Sequence, residues 1–175
     1  FEKMLKVSTL NVHTISVQMG DAALGLIDNP PGNSGNETFG NSMNGSHLLD
    51  DGRVGFVNTP ITNLSSTRYP AFFRGNTSFK QSGVSTIGGP IWDNFGLSDV
   101  GGTPDASFFN AAAATENANL AIDGILAVDD AIVIQEGSAV AGLGTPVMAD
   151  IFFTRMVSNG DWFSRGDDPA DNDWA

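Results

Sequence analysis

Internal repetition constrains this chain more than any other feature. Three segments share the pattern Q-x-G-x-[A/S]-x-x-G; they begin at Gln18, Gln81 and Gln135, 63 and 54 residues apart. The first and third copies also match upstream, where Ile15-Ser16-Val17 corresponds to Ile132-Val133-Ile134. A second pattern sits inside each unit. It reads Leu49-Asp50-Asp51-Gly52-Arg53-Val54-Gly55-Phe56 in the first. A looser copy is Ser98-Asp99-Val100-Gly101, running on to Ala106-Ser107-Phe108, and the third is Val157-Ser158-Asn159-Gly160-Asp161-Trp162-Phe163. A third pattern closes the first two units, Ala71-Phe72-Phe73-Arg74-Gly75 and Leu120-Ala121-Ile122-Asp123-Gly124. Gly52 and Gly75 are 23 residues apart, as are Gly101 and Gly124. Motifs kept in one order with one spacing mark a tandem array of supersecondary units.

The residue types within each unit predict strands. In Asp-Gly and Asn-Gly pairs the glycine permits positive φ, while Asp or Asn tolerates the left-handed region, so a tight turn forms. Alternating residues follow, as in Val54 and Phe56, with the period of a strand packed on one face. Ile125 to Val128, Asp129-Asp130 and Ala131 to Ile134 read as a hairpin. Asn110 to Asn119 contains four consecutive alanines, which favour helix, yet it reads as a loop or one helical turn inside a β unit. The expected fold is all-β: tandem antiparallel four-stranded units, like propeller blades or an open array. Residues 1–175 form one repeat region, with units at about 12–80 and 81–131 and a partial unit at 132–175. A closed ring needs about four or more blades, so the chain is expected to be a piece, an open array, or something that other chains complete.

Charge narrows the partners. Twenty acidic residues face eight basic ones, a formal net charge of −12, and Lys occurs only at positions 3, 6 and 80. No basic face for phosphates can be assembled, which argues against nucleic acid. No run approaches the ~18 apolar residues of a membrane span. The opening dodecapeptide has no long apolar core, so it reads as the start of a processed or excised piece. With no cysteine there is no disulfide or thiolate site. The remaining partners are cations, neutral glycans and other protein surfaces.

Two sites stand out as candidates. Asp167, Asp168, Asp171 and Asp173 supply hard oxygens of the kind calcium takes; the other reading of the same run is a solvated acidic turn. No other cofactor is expected. Trp92, placed in a loop before Asp93-Asn94, is the candidate for stacking on a sugar ring, whereas Trp162 occupies a repeat strand and is expected in the core. The two histidines, His13 and His47, read as ordinary surface or half-buried residues, and no G-x-S-x-G elbow exists for a serine hydrolase.

Taken together, Asp50, Gly52, Val54 and Phe56, then Ala121, Ile122 and Gly124, then Val133, Gln135, Glu136 and Gly137, with Asn159 and Gly160, resemble a known group. The chain is similar to bacterial exported tandem-repeat proteins of the NxxGxxVxF type, which often carry a sorting anchor of the PEP-CTERM kind. The resemblance implies β-propeller-like repeats at the cell surface and no defined activity. Three functions follow as expectations. The first is a non-enzymatic extracellular structural protein that forms oligomers or fibres by self-association through its β repeats. The second is a glycan- or calcium-binding surface module. The third is a glycosidase- or sialidase-like propeller enzyme.

Overall fold

The computed structural model describes residues 3–7, 13–27, 37–62, 70–86, 89–94, 100–140, 142 and 150–175. Among them there is no helix; the fold is all-β and antiparallel in every named strand pair. It begins with a hairpin, β1 (Lys3–Val7) and β2 (His13–Gln18). The short β3 (Glu37–Thr38) leads to β4 (Met43–Leu48) and β5 (Val54–Asn58). After β6 (Ile61–Thr62), which pairs with β3, come β7 (Ala71–Arg74) and β8 (Thr77–Gln81). Next are β9 (Trp92–Asn94), β10 (Val100–Gly102), β11 (Phe109–Thr115), β12 (Gly124–Val128) and β13 (Ala131–Gln135). The chain ends with β14 (Asp150–Met156), β15 (Trp162–Asp167) and β16 (Asp173–Trp174).

These strands form three principal sheets, ordered β4-β5-β7-β8, β10-β11-β12-β13 with β9 also on β11, and β14-β15-β16. Each is a meander, and the phase differs from the sequence reading. The hairpin across Asp129-Asp130 closes the second sheet, so Ile132 does not open a third unit. Ala71–Gly75 aligns with Ile125–Asp129 rather than with 120–124, because Gly75 (φ 63°) and Asp129 (φ 52°) take the same left-handed turn position.

The backbone carries a 54-residue period. In the first-to-second-strand hairpins the left-handed position falls at Gly52, Ala106 and Gly160, each 54 residues from the next, with φ of 83°, 63° and 89°. In two of these turns the hydrogen bonds match: Gly52 N to Leu49 O at 2.8 Å and Leu49 N to Arg53 O at 2.9 Å, against Gly160 N to Val157 O at 3.0 Å and Val157 N to Asp161 O at 2.9 Å. The middle turn, at 103–108, holds one extra residue, since Thr103 N reaches Phe108 O. It was expected around Gly101, but Gly101 lies within β10; Ser98 and Asp99 lie outside the described residues. Ala106 is the only member of this trio with a Cβ, and a left-handed backbone costs an L-residue roughly 1–2 kcal/mol. Allowing ~0.4–1 kcal/mol for the greater freedom of unfolded glycine, Ala106→Gly should stabilise the fold by about 0.5–1 kcal/mol. The check is the urea midpoint; a fall in it would contradict this account of the turn.

The three Q-x-G motifs also share one shape. Each glutamine ends a strand, and each motif glycine has positive φ: Gly20 90°, Gly83 71° and Gly137 77°. The amide three residues on bonds back to the glutamine carbonyl, at 3.1 Å from Asp21, 3.4 Å from Val84 and 3.1 Å from Ser138. Glycine is required here because the conformation strains any other L-residue.

Asn110 to Thr115 is strand throughout, not a loop or helical turn. The alanines of β11 are buried or half-buried on successive positions, as expected of a strand covered on both faces. Small side chains there let neighbouring sheets approach, and packing overrides the helical preference of alanine.

Candidate functional site

The distinctive chemistry of this molecule lies in the seams between its sheets. The first strands β4, β10 and β14 lie against one another in sequence order, and β11 also meets β14. One apolar core joins Val17, Ala23 and Phe39 to Val54, Phe56, Ala71 and Phe73 on one face of the first sheet. The other face gives Val57 and Phe72 to a second core with Trp92, Val100, Phe109, Ala111, Ile125 and Ala127. The first sheet is therefore covered on both sides, which explains why every residue of β5 is buried.

The seam between the first and second sheets is shaped by a ring in a slot. His47 of β4 packs edge-on to Phe72 at 5.8 Å. A Cβ on Gly55 would lie 2.1 Å from its Cε1, and one on Gly102 would lie 2.6 Å from its Nε2. The imidazole thus occupies space that only two glycines leave open, one on the adjacent strand and one on the next sheet. Both ring nitrogens are shielded and have no hydrogen-bond partner. Burial, helped by the Arg74 guanidinium, pushes the His47 pKa down to about 4. Further contacts cross this seam: Phe79 meets Phe109 edge-on at 5.1 Å, Asp50 N donates to Pro104 O at 2.7 Å, and Lys80 pairs with Asp130.

The seam between the second and third sheets is polar. Asn110 and Thr154 are both fully buried; Asn110 Nδ2 donates to Thr154 Oγ1 at 2.5 Å and to Arg155 O at 3.1 Å. Gly101 takes the place corresponding to His47, 54 residues earlier, and the Met156 amide would lie 3.0 Å from a Cβ there.

The residues singled out in the sequence are placed differently. Trp92 is not in a loop; it stands on β9 with 0% of its surface exposed and offers no face to a sugar. Its carbonyl accepts from Gly83 N at 2.6 Å, as Phe39 O accepts from Gly20 N at 3.0 Å, so these two buried aromatics serve the same motif. Trp162, expected in the core, is 37% exposed and lines a groove with Ile132, Val133 and Ile134. Asp168 caps the last hairpin: its carboxylate accepts from the amides of Ala170 and Asn172 at 2.8 and 2.9 Å. The Asn172 side chain also donates to it and holds its pKa below the usual range. Arg165 grips Asp173 with two bonds of 2.8 and 2.9 Å and lowers its pKa, while desolvation and neighbouring Asp173 raise that of Asp167. Asp171 takes the left-handed position of that hairpin, φ 64°. Among the described residues no three His, Asp or Glu side chains converge as a metal group would require, and no helix is long and apolar enough to cross a membrane.

No protein-family model, curated protein or solved structure matches this chain. The seams were legible in the sequence only as glycines: Gly55, Gly101 and Gly102 mark close approaches, but nothing in one sequence says which side chain fills the space.

Proposed function

We propose that this chain is a non-enzymatic extracellular structural protein that assembles with further copies through the contacts that already join its own sheets. One observation carries the reading. Strand register makes Gly55, Asn110 and Phe163 equivalent positions, opposite His47, Gly101 and Arg155 respectively. Gly55 and Asn110 are buried; Gly55 lies under the His47 ring, which reaches Gly102 of the following sheet, and Asn110 bonds Thr154 of the following sheet. Phe163 is 52% exposed and packs beside Phe153 at 5.6 Å. A large apolar side chain at a position built to be covered marks an interaction surface. The edges of the sheets add unpaired backbone groups that template strand pairing. A place at the cell surface fits the lack of cysteine, the acidic surplus and the resemblance to exported repeat proteins.

The expected result is a mass that rises above the 18.3 kDa of one chain as concentration increases from micromolar to millimolar in sedimentation equilibrium. Phe163→Ser should weaken that rise while leaving thermal stability within ~0.5 kcal/mol, as for other surface changes. A chain that stays monomeric over the whole range overturns the proposal.

A further inference from the structure

The first hairpin and the last sheet are complementary halves of one unit. The hairpins β1–β2, β7–β8 and β12–β13 share a register down to the position of the bulge. Lys3 faces Gln18, Met4 faces Val17, and Leu5 then skips Ser16 to face Ile15. Ala71 faces Gln81, Phe72 faces Lys80, and Phe73 skips Phe79 to face Ser78. Ile125 faces Gln135, Leu126 faces Ile134, and Ala127 skips Val133 to face Ile132. All three run into a Q-x-G turn. β1 and β2 are therefore a third and fourth strand, whereas β14 and β15 are a first and second strand joined by the turn at Gly160.

From this complementarity we infer that the β1–β2 hairpin of one copy completes the third sheet of a second copy, with β1 adding to the free edge of β15. This rests on the assembly proposed above and names the elements that carry it. The edge is open over the residues that matter. β16 pairs only with Gly166 and Asp167, and no described strand pairs with Phe163, Ser164 or Arg165 on that side. Between the first two sheets the equivalent space is filled by Ile125, Ala127 and Ile132 of a third and fourth strand. Next to β15 it is a groove of about 490 Å³, bordered by Val133, Ile134, Val140 and Trp162. Charge fits at one end: the same register sets Lys3 at the β15–β16 end, which carries Asp167, Asp168, Asp171 and Asp173. A second copy, rather than the chain's own hairpin, is the donor because within one chain the hairpin sits at the first sheet, where Val17 joins the core of Phe56 and Phe73, while β15 belongs to the third. The contact is heterologous, head to tail.

The register of β5 on β7, where Gly55 faces Arg74, Phe56 faces Phe73 and Val57 faces Phe72, transposes to definite partners. Phe163 should face Lys6, Ser164 should face Leu5, and Arg165 should face Met4 beside Trp174. The residues equivalent to Leu5 and Ser164, Phe73 and Phe56, are direct cross-strand partners, and residues directly opposed in an antiparallel pair have Cα atoms about 4.5–5.5 Å apart, within reach of a disulfide if both were cysteine.

The chain has no cysteine, so the test is free of background. A Leu5→Cys/Ser164→Cys chain, oxidised while assembled, should run largely as disulfide-linked dimers and larger species that collapse on reduction. Met4→Cys/Arg165→Cys should do the same at the next register position, so that one poorly folding variant does not decide the matter. Val7→Cys/Ser164→Cys should give several-fold less. Assembly without these cross-links overturns the inference and leaves the assembly reading standing. A cross-link formed within a single chain overturns the second-copy donor. A chain that neither associates nor cross-links overturns both.

Discussion

Replacing Phe72 with alanine is expected to remove about 3–5 kcal/mol of unfolding free energy, the usual cost of emptying a buried phenylalanine site. Phe72 has no exposed surface, and it touches His47, Phe79 and Phe109, side chains of both sheets that meet at the first seam. Neighbouring strands hold it on β7 between Val57 and Lys80, so the surroundings cannot collapse into the void. Domains are stable by only ~5–15 kcal/mol, so the variant should lose a large part of its margin. In a repeat array stability is a sum of units and seams. The loss should therefore also broaden or split the urea transition as the two sheets uncouple. A single transition at the wild-type midpoint would show that Phe72 does not hold the seam.

Acidification should open the same seam. The folded His47 has its pKa pushed down from 6.5 to about 4 by burial first and by Arg74 second. In the unfolded chain it titrates near 6.5. Between these values the unfolded state binds the extra proton, so stability rises with pH in that window. The contribution is intact above about pH 6.5, declines as pH falls, and is fully lost below about pH 4. A shift from 6.5 to about 4, at 1.36 kcal/mol per unit, corresponds to roughly 3 kcal/mol. Elements packed around the ring bring Gly55, Gly102 and Phe72, and the nearby charge is the Arg74 cation; among the described residues no carboxylate is set against the ring to stabilise an imidazolium. The measurement is the difference in unfolding free energy between wild type and His47→Asn across pH 4–7. Parallel curves over that range would remove His47 from the account. Aspartates held low by hydrogen bonds, such as Asp168 and Asp173, titrate below this window and cancel in the difference.

What could be read from the sequence was whatever a single residue type enforces locally. The turns after Gln18, Gln81 and Gln135 were legible because glycine takes their positive φ without strain. The hairpin around Asp129-Asp130 was legible because apolar runs flank it. The phase of the units was obscured for the converse reason. Ala106 and Asp129 occupy left-handed positions without glycine, so a search anchored on glycine aligned Gly101 with Gly52 and Gly124 with Gly75. The alanines of β11 concealed a strand because their intrinsic preference is opposed by burial between two sheets, which no local pattern records. Trp92 looked exposed because Asp93 and Asn94 follow it. Its burial comes from packing with Val57, Phe72 and Phe109, residues distant in sequence. The acidic run suggested a ligand set because the aspartates are close in sequence, yet a hairpin spends Asp168 on its own backbone and gives Asp173 to Arg165.

The two seams are chemically unlike: one closes on an imidazole between glycines, the other on an amide bonded to a hydroxyl. Modules copied by duplication would begin with identical joints and could be shuffled or lost by slippage at the gene. Once each joint has its own lock, a module cut out at the 54-residue period leaves a histidine facing the strand that carries Thr154 and Arg155. The order of the modules is thereby written into pairs of neighbours, and a change in copy number is penalised even where every module folds correctly.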